Sequence, residues 1–182
     1  MPLLKNHYTS EDYWNLPEGE RAELIDGKFY DMAPPSRIHQ EISGQIYKTI
    51  TNYIDAHRGS CKVYAAPFAV NLDADDKDWV EPDISVICDP DKLTDRGCSG
   101  APDLIFEIVS PSSRKLDYGI KNGIYSQSGV REYWIVDPAK ERVTVYHYED
   151  DAAPVIYSFV QDIPIGIYPG LTIKINDLLE NY

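Results

Sequence analysis

The sequence predicts a mixed α/β domain in which helices flank a β-sheet. The first supporting observation is that apolar, strand-like segments precede, separate and follow two segments with helical periodicity. The second is size, because 182 residues with 43% hydrophobic residues can bury a core of their own. The third is that no linker interrupts these elements. We therefore expect one domain over residues 1–182.

The N-terminal segment is predicted to contain a short helix followed by a β-hairpin. The helix is expected over residues 15–23, with Pro17 near its start. The dipeptide Asp26-Gly27 separates two apolar runs, and such a pair is a strong signal for a two-residue hairpin turn. Residues 23–32 should therefore form the hairpin.

A long amphipathic helix is predicted next. Ser36 follows two prolines and is placed to cap the N-terminus of this helix, which should end near Gly59. Isoleucines at a spacing of four should form its buried stripe: Ile38, Ile42, Ile46 and Ile50.

The centre and the C-terminal part of the chain should supply most strands of the sheet. In the centre, the strand-like segments are residues 62–72, 82–88 and 103–109. An acidic loop follows the first of them and a polar loop follows the second. The later segments are strands over residues 132–136, 142–148 and 155–160 and a final segment over residues 171–179.

A second helix is predicted over residues 113–128, with Gly129 as its left-handed C-terminal cap. Two rows of side chains follow this helix at a spacing of four: an apolar row of Leu116, Ile120 and Ile124, expected to face the core, and an adjacent row of Asp117, Lys121 and Tyr125. Gly119 and Gly123 are unfavourable inside a helix, which indicates that something packs close to it.

Charge limits the ways in which this protein could bind nucleic acid. The formal net charge of −13 repels a polyanion, whereas non-specific binding of nucleic acid depends on neutralising phosphates. A nucleic-acid function would therefore require a local basic patch, metal ions or a partner protein.

Cysteine usage and hydropathy indicate a cytoplasmic protein. Cys61, Cys88 and Cys98 are an odd number without C-x-x-C spacing, which predicts neither a disulfide framework nor a zinc knuckle. No apolar run is long enough to span a bilayer, and the N-terminus does not resemble a signal peptide. We expect a reducing cytoplasm and no membrane partner.

Two predicted strands carry a carboxylate where a half-buried strand usually has an apolar residue. These carboxylates are Asp83, at the start of one strand, and Glu107, near the end of another. Such a group is costly to bury unless its charge is compensated. A hard divalent cation such as Mg²⁺, bound by both side chains, would compensate it. Alternatively, Asp83 caps its strand and Glu107 pairs with an internal lysine or arginine.

The surroundings of Glu107 are also polar. Side chains alternate along a strand, so Ile105 and Glu107 share one face and Phe106 points to the other. Glu107 lies at the carboxyl end of its strand, where α/β sheets place ligands. The helical row that contains Asp117 and Lys121 can lie over this strand end. The alternative for Asp117 and Lys121 is an ordinary surface ion pair.

Six ordered blocks resemble the signature of the Uma2 family of restriction-endonuclease-like proteins. The resemblance extends from about Tyr13 to Ile173, nearly the whole chain. The blocks are Glu23-Leu24-Ile25-Asp26-Gly27, Pro34-Pro35-Ser36-x-x-His39-Gln40, Glu81-Pro82-Asp83-Ile84, Ala101-Pro102-Asp103-Leu104 through Glu107-x-x-Ser110-Pro111-Ser112, Asp117-x-x-x-Lys121, and Gly129-Val130-Arg131-Glu132-Tyr133-Trp134-Ile135-Val136-Asp137-Pro138.

The resemblance implies a restriction endonuclease-like fold of the PD-(D/E)XK superfamily, with a mixed β-sheet core, flanking helices, an added N-terminal hairpin and added C-terminal strands. It also implies metal-dependent hydrolysis of phosphodiester bonds. By this resemblance Asp83 and Glu107 hold Mg²⁺ or Mn²⁺, and the carbonyl of Ile108 is a further ligand. Two carboxylates, a carbonyl and water molecules suit the octahedral preference of Mg²⁺.

The chain departs from the family pattern at position 109, where Val109 replaces the expected lysine. Lys121 is the expected replacement because its helix follows the strand, and Lys115 is the weaker candidate because it lies nearer the turn. Glu23 resembles the N-terminal acidic residue of such sites, and Asp117 supports Lys121.

Other polar residues could support the site. His39 and Gln40 either assist it or have a capping or packing role. Four basic residues could form a cationic rim, or could simply balance neighbouring acids: Arg114, Lys115, Lys121 and Arg131.

We therefore expect a Mg²⁺-dependent endodeoxyribonuclease, a hydrolase whose partner is DNA. One alternative is a catalytically silent module of the same fold that binds nucleic acid or protein, because fold alone does not establish activity. Another is a phosphohydrolase that acts on a smaller substrate. Cleavage of both strands of a duplex would favour a homodimer.

Overall fold

The computed structural model describes residues 7–179, so both ends of the predicted domain, residues 1–6 and 180–182, lie outside the described part. The prediction that the N-terminus is not a signal peptide also falls partly on residues 1–6, outside the described part. The α-helices are α1 (Ser10–Trp14), α2 (Arg37–Ala56), α3 (Asn122–Ser128) and α4 (Ile175–Leu179). A π-helix (Leu116–Lys121) leads directly into α3, and short 3-10 helices are Pro90–Lys92, Pro138–Lys140 and Tyr148–Asp150.

The strands belong to two larger sheets and one small pair. In chain order they are β1 (Ala22–Ile25), β2 (Lys28–Asp31), β3 (Lys62–Ala65), β4 (Val70–Asn71), β5 (Trp79–Val80), β6 (Ile84–Ile87), β7 (Leu93–Thr94), β8 (Gly97–Ser99), β9 (Leu104–Ile108), β10 (Glu132–Asp137), β11 (Arg142–His147), β12 (Val155–Ser158), β13 (Ile163–Pro164) and β14 (Thr172–Ile173).

The core sheet has the order β12-β11-β10-β9-β6-β3, and its central pair β9-β10 is parallel while its other pairs are antiparallel. The second sheet has the order β2-β1-β5-β4-β8-β7, and β13 pairs with β14. The predicted mixed α/β class is therefore confirmed. Glu107 lies on the central strand β9, and Asp83 directly precedes its neighbour β6.

Helix α2 covers one face of the core sheet. Ser36 caps this helix as predicted, and Ile42, Ile46 and Ile50 are completely buried against Phe106 and other residues of that face. The opposite face packs against α3, the π-helix and the second sheet, and Ile105 belongs to that second cluster. The predicted alternation of β9 side chains is therefore confirmed.

The predicted hairpin is confirmed, but the first predicted helix is wrong. Strands β1 and β2 pair across Asp26 and Gly27, which both have positive φ (48° and 69°), as a two-residue type I′ turn requires. Residues 15–23 do not form a helix. Helix α1 begins earlier, where the Thr9 hydroxyl and the Asp12 side chain form a capping box.

Several strand predictions need correction because tertiary pairing divides the segments. The predicted strand over residues 62–72 is two strands, β3 and β4, separated at Pro67, which has no N–H to donate to a ladder. Strands β7 and β8 lie in the segment predicted as a polar loop, and β5 lies between the predicted acidic loop and the strand after it. The C-terminal segment over residues 171–179 is β14 followed by α4.

The second predicted helix is correct in position, but its orientation is only partly as predicted: Leu116 and Ile124 pack against the second cluster, whereas Ile120 does not. Its first half is the π-helix, and Ile120, predicted to be buried, is 41% exposed. Gly119 and Gly123 have open space where a side chain would begin, so no element packs closely against them. Gly129 has the predicted left-handed conformation, with φ of 94°.

The prediction that no disulfide is present is wrong. Cys61 and Cys88 form a disulfide with an S–S distance of 2.08 Å, while Cys98 is a buried free thiol. The register that pairs Lys62 with Ile87 brings the two cysteines next to each other although they are 27 positions apart in the chain. The disulfide removes the cysteine argument for a reducing compartment. No helix within residues 7–179 is long and apolar enough to cross a bilayer.

Candidate active site

Glu107 is the centre of a buried polar cluster between the core sheet and the helix that follows β9. Its side chain is only 5% exposed, although all the remaining residues of β9 are apolar. One oxygen, Oε1, accepts hydrogen bonds from Lys121 Nζ at 2.8 Å and from the Tyr125 hydroxyl at 2.9 Å. Glu107 therefore does pair with an internal lysine, as one of the two alternatives predicted.

Lys121 connects three acidic side chains. Its ammonium lies 2.8 Å from Glu107 Oε1, 2.9 Å from Glu23 Oε1 and 3.7 Å from Asp117 Oδ1. All four side chains are at most 5% exposed, so the alternative of a surface pair between Asp117 and Lys121 is wrong. The row of Asp117, Lys121 and Tyr125, rather than the apolar row, faces the core at the π-helix. Such π-helical turns occur frequently at functional sites.

Asp83 directly precedes β6, the strand next to that of Glu107. Strands β6 and β9 pair Ile84 with Phe106, so the next position of the register places Asp83 opposite Glu107. Asp83 is close enough for its charge to raise the pKa of Glu107. Asp83 Oδ2 accepts a hydrogen bond from the backbone N–H of Ile108 at 2.7 Å and lies 3.1 Å from His39 Nε2. Asp83 is therefore fixed at the strand end by two contacts.

Glu23 reaches the cluster from the second sheet. Its Oε1 also accepts a hydrogen bond from the backbone N–H of Glu81 at 2.8 Å. Glu81 in turn accepts a hydrogen bond from the Tyr13 hydroxyl at 3.0 Å and pairs with Arg21 at 2.6 Å. This chain of contacts ties the N-terminal hairpin to the centre of the molecule.

The cluster contains more negative than positive charge. Burial raises the pKa of Glu107 well above its ordinary value, and the charges of Asp117, Asp83 and Glu23 raise it further, while Lys121 lowers it. Burial likewise raises the pKa of Asp117 to about 6. Burial favours a neutral Lys121, but the carboxylates outweigh this effect and hold the pKa of Lys121 well above its ordinary value. The surplus of carboxylates favours binding of a proton or another cation.

Two tyrosines complete the cluster, and the sequence analysis assigned neither of them a role. Tyr125 bonds Glu107, and the hydroxyl of Tyr133 donates to the backbone carbonyl of Asp117 at 3.1 Å. Both tyrosines are completely buried. The spacing of four from Lys121 to Tyr125 was a usable signal, whereas no local pattern distinguishes Tyr133 from a core residue.

Other predicted residues lie away from the cluster. Gln40 is exposed on α2, in contrast to its neighbour His39, whose Nδ1 is buried without a hydrogen-bond partner within residues 7–179. The predicted cationic rim is wrong as a unit. Lys121 is buried, and Arg131 pairs with Asp103 and Glu149 at the opposite end of β10.

Arg114 and Lys115, the other members of the predicted rim, differ from each other. Arg114 pairs with the buried carboxylate of Asp137. The alternative that the basic residues balance neighbouring acids therefore holds for Arg114, as it does for Lys121 and Arg131. Lys115 alone of the four is exposed without an ion pair within residues 7–179.

The side chains that could hold a metal ion at this strand end are carboxylates. Within residues 7–179, no group of three or more His, Cys, Asp or Glu side chains is placed to hold a metal ion by itself. Mg²⁺ does not need such a group, because it keeps several waters and binds through one or two carboxylates. The N–H of Ile108 donates to Asp83. The N–H and C=O groups of one strand residue project to the same edge of that strand. The Ile108 carbonyl therefore lies on the Asp83 side. Asp83, Glu107 and the Ile108 carbonyl therefore supply oxygen donors of the kind that Mg²⁺ prefers.

The core sheet, with its carboxylates at neighbouring strand ends, defines a restriction endonuclease-like α/β protein. A similar fold is found in a crystal structure from Anabaena variabilis, described as "a putative nuclease belonging to DUF820". The two superpose with a TM-score of 0.74 over 94% of this chain and 97% of that chain. Their sequences are 21% identical, so the likeness shows the shared fold. The chain belongs to the Uma2 family, described as "Putative restriction endonuclease", which matches residues 10–175. An uncharacterized protein of Synechocystis sp. is 27% identical over 152 residues, covering 82% of this chain and 78% of that protein.

Proposed function

We propose that this protein is a Mg²⁺- or Mn²⁺-dependent endonuclease that hydrolyses phosphodiester bonds in DNA. The observation that carries the proposal is the contact between Lys121 and Glu107, because the helix after β9 delivers an ammonium to the strand end that lacks a lysine at Val109. The family description and the shared fold support a nuclease, and the buried acidic cluster supports a cation.

Asp83, Glu107 and the Ile108 carbonyl are the proposed metal ligands. Glu107 uses Oε1 for Lys121 and Tyr125, which leaves Oε2 for a cation. A bound Mg²⁺ would neutralise phosphate charge and lower the pKa of the attacking water. In the hydrolysis, water adds to phosphorus, the bond to the leaving oxygen breaks, and the two products share the elements of water.

Lys121 has the proposed role of stabilising the negative charge that develops on the phosphate. A buried ammonium can do this strongly, because it acts in a site from which water is largely excluded and is already in place. Glu23 and Asp117 hold the ammonium, and His39 and the Ile108 N–H hold Asp83. We assign no role to Gln40, because it is exposed on α2.

One observation favours a second candidate, the catalytically silent module. The Lys121 ammonium is within 3 Å of two carboxylates, Glu107 and Glu23, so the cluster is partly neutralised without a metal ion. If this neutralisation were sufficient, the protein would bind nucleic acid or protein without cleaving it.

Metal-binding calorimetry with Mn²⁺ separates the two candidates. The wild type should bind Mn²⁺, and Asp83→Ala should lose this binding because it removes one of the two carboxylate ligands. Asp55→Ala is the control, since Asp55 is exposed on α2, and it should bind as the wild type does. Absence of Mn²⁺ binding to the wild type would leave the silent module.

A cleavage assay with a substrate panel tests the activity itself. Duplex DNA, single-stranded DNA, RNA and a phosphodiester monomer are incubated with Mg²⁺ or Mn²⁺, and cleavage of DNA is expected. Cleavage of the monomer alone would instead support a phosphohydrolase with a smaller substrate.

A further inference from the structure

A buried carboxylate at the end of β10 has four basic residues close to it in the chain, in the ladder or in its hydrogen bonds. We call this group, Arg114, Lys115, Lys140 and Arg142, the basic corner. Its centre is Asp137, whose side chain is completely buried. Arg114 binds both carboxylate oxygens of Asp137, with Nη2 to Oδ1 at 3.0 Å, and the backbone N–H of Lys140 donates to Oδ1 at 3.3 Å.

Arg142 and Lys115 complete the basic corner. Arg142 is the partner of Asp137 in the register of β10 and β11. Its guanidinium lies over the ring of Tyr118, with Cζ 5.6 Å from the centroid, a distance typical of a cation–π contact. Lys115 is exposed and follows Arg114 in the chain.

The basic corner lies on the same face and at the same end of the core sheet as the candidate active site. Glu107 pairs with Ile135 in the parallel register of β9 and β10. Asp137 is two residues further along β10, so its side chain projects to the same face as that of Ile135. From the rise along a strand and the spacing between strands, the Cα atoms of Glu107 and Asp137 are about 8 Å apart.

The corner has a surplus of positive charge in a chain whose formal net charge is −13. Asp137 is neutralised by Arg114. Three basic residues have no ion pair within residues 7–179: Lys115, Lys140 and Arg142. The Nε of Arg142 is also buried without a hydrogen-bond partner there. Glu141, exposed in the same turn, is the opposing charge, and it does not cancel three cations.

We propose that the basic corner binds the phosphodiester backbone of DNA beside the site of cleavage. The choice of DNA rests on the proposed function. Arginine and lysine are the residues that hold phosphate groups, and the Cα atoms of Asp137 and Glu107 are only about 8 Å apart. The corner supplies the local basic patch that an acidic protein requires to bind a polyanion.

Equilibrium binding of a fluorescently labelled DNA duplex, in EDTA so that no cleavage occurs, tests this proposal. The double variant Lys115→Gln/Lys140→Gln removes two exposed charges and leaves the ion pair of Arg114 intact, so it should fold normally. The control Lys48→Gln/Lys62→Gln makes the same charge change at exposed positions of α2 and β3. Affinity is measured over a series of salt concentrations.

The slope of log affinity against log salt reports how many phosphates are contacted. Loss of two contacts should lower the slope of the double variant by about 2 and weaken binding, while the control keeps the wild-type slope. An unchanged slope in the double variant, an equal change in the control, or no DNA binding by the wild type would overturn the proposal. If the same titration with an RNA duplex shows the loss of slope and the titration with DNA does not, the choice of DNA is overturned. Failure of the proposed function would appear separately, as intact DNA binding without cleavage by any metal.

Discussion

The substitution Lys121→Met tests whether the buried ammonium holds the site together. Methionine has a similar length but no charge, so Glu107, Glu23 and Asp117 would remain buried without their common cation. Removal of one partner from a buried ion pair costs about 3–5 kcal/mol. For a domain of this size, the melting temperature should therefore fall by roughly 6–20 °C at neutral pH.

The loss of stability should depend on pH, because the carboxylates that have lost their cation can become neutral by binding protons. Without Lys121, the positive charge that lowers the pKa of Glu107 and of Asp117 is gone, so both pKa values rise further. At about pH 5 these groups would be protonated in the folded variant, and part of the lost stability should return. Urea unfolding at about pH 5 and pH 8, followed by circular dichroism, measures the difference in unfolding free energy between the two conditions.

Two comparisons make the result decisive. Lys77→Met removes a lysine that pairs with Asp75 at 3.1 Å on the exposed acidic loop, and it should unfold as the wild type does. The double variant Glu107→Gln/Lys121→Met should recover part of the loss, because a neutral pair replaces an ion pair. The reasoning is refuted if Lys121→Met costs less than about 1 kcal/mol at pH 8, or costs the same at both pH values.

Three other perturbations of the cluster have distinct expected outcomes. Mg²⁺ or Mn²⁺ should raise the melting temperature of the wild type. Glu107→Gln should abolish both this shift and cleavage, whereas Lys121→Met should keep the shift and lose cleavage. A Glu107→Gln protein that cuts DNA at the wild-type rate would contradict the mechanism. Burial raises the pKa of Asp117 from 3.8 to about 6, so its contribution to metal-free stability is full below about pH 4 and lost as the pH rises through about 6. The pKa shift corresponds to about 3 kcal/mol of pH-dependent unfolding free energy. Asp117→Asn should abolish this pH dependence when unfolding is measured over a pH series, and an unchanged pH profile would exclude the raised pKa of Asp117. Tyr125→Phe should destabilise the fold by about 1.5–3 kcal/mol, because the buried Glu107 loses a donor, and thermal unfolding that matches the wild type would contradict this.

The elements that the sequence predicted correctly are specified by local chemistry. The Asp26-Gly27 turn requires two positive φ angles, which this dipeptide tolerates, and the Ser36 cap needs only a hydroxyl before an amphipathic stripe. Strands β5, β7 and β8 are two or three residues long, too short for a periodic pattern, so only their partners define them.

The orientation of the site helix shows where a pattern of apolar residues fails. By hydrophobicity, Ile120 belongs in the core and Lys121 belongs in solvent. The structure has the opposite arrangement, because Glu107 and Glu23 offset the cost of burying an ammonium and because the π-helix changes which side chains face inward. Apolar periodicity cannot express this exchange, since it depends on charges that other elements supply.

The sequence by itself determined the mixed α/β class, the alternation of β9, and the presence of Asp83 and Glu107 on apolar segments, because these depend on neighbours within one element. Only the tertiary structure decided that Glu23 from the hairpin meets Lys121 from the helix and that Cys61 meets Cys88. It likewise decided that the basic corner lies beside Asp137 rather than Lys121. These meetings depend on strand register and on the packing of one layer against another, which residues distant in the chain set together and no local segment specifies.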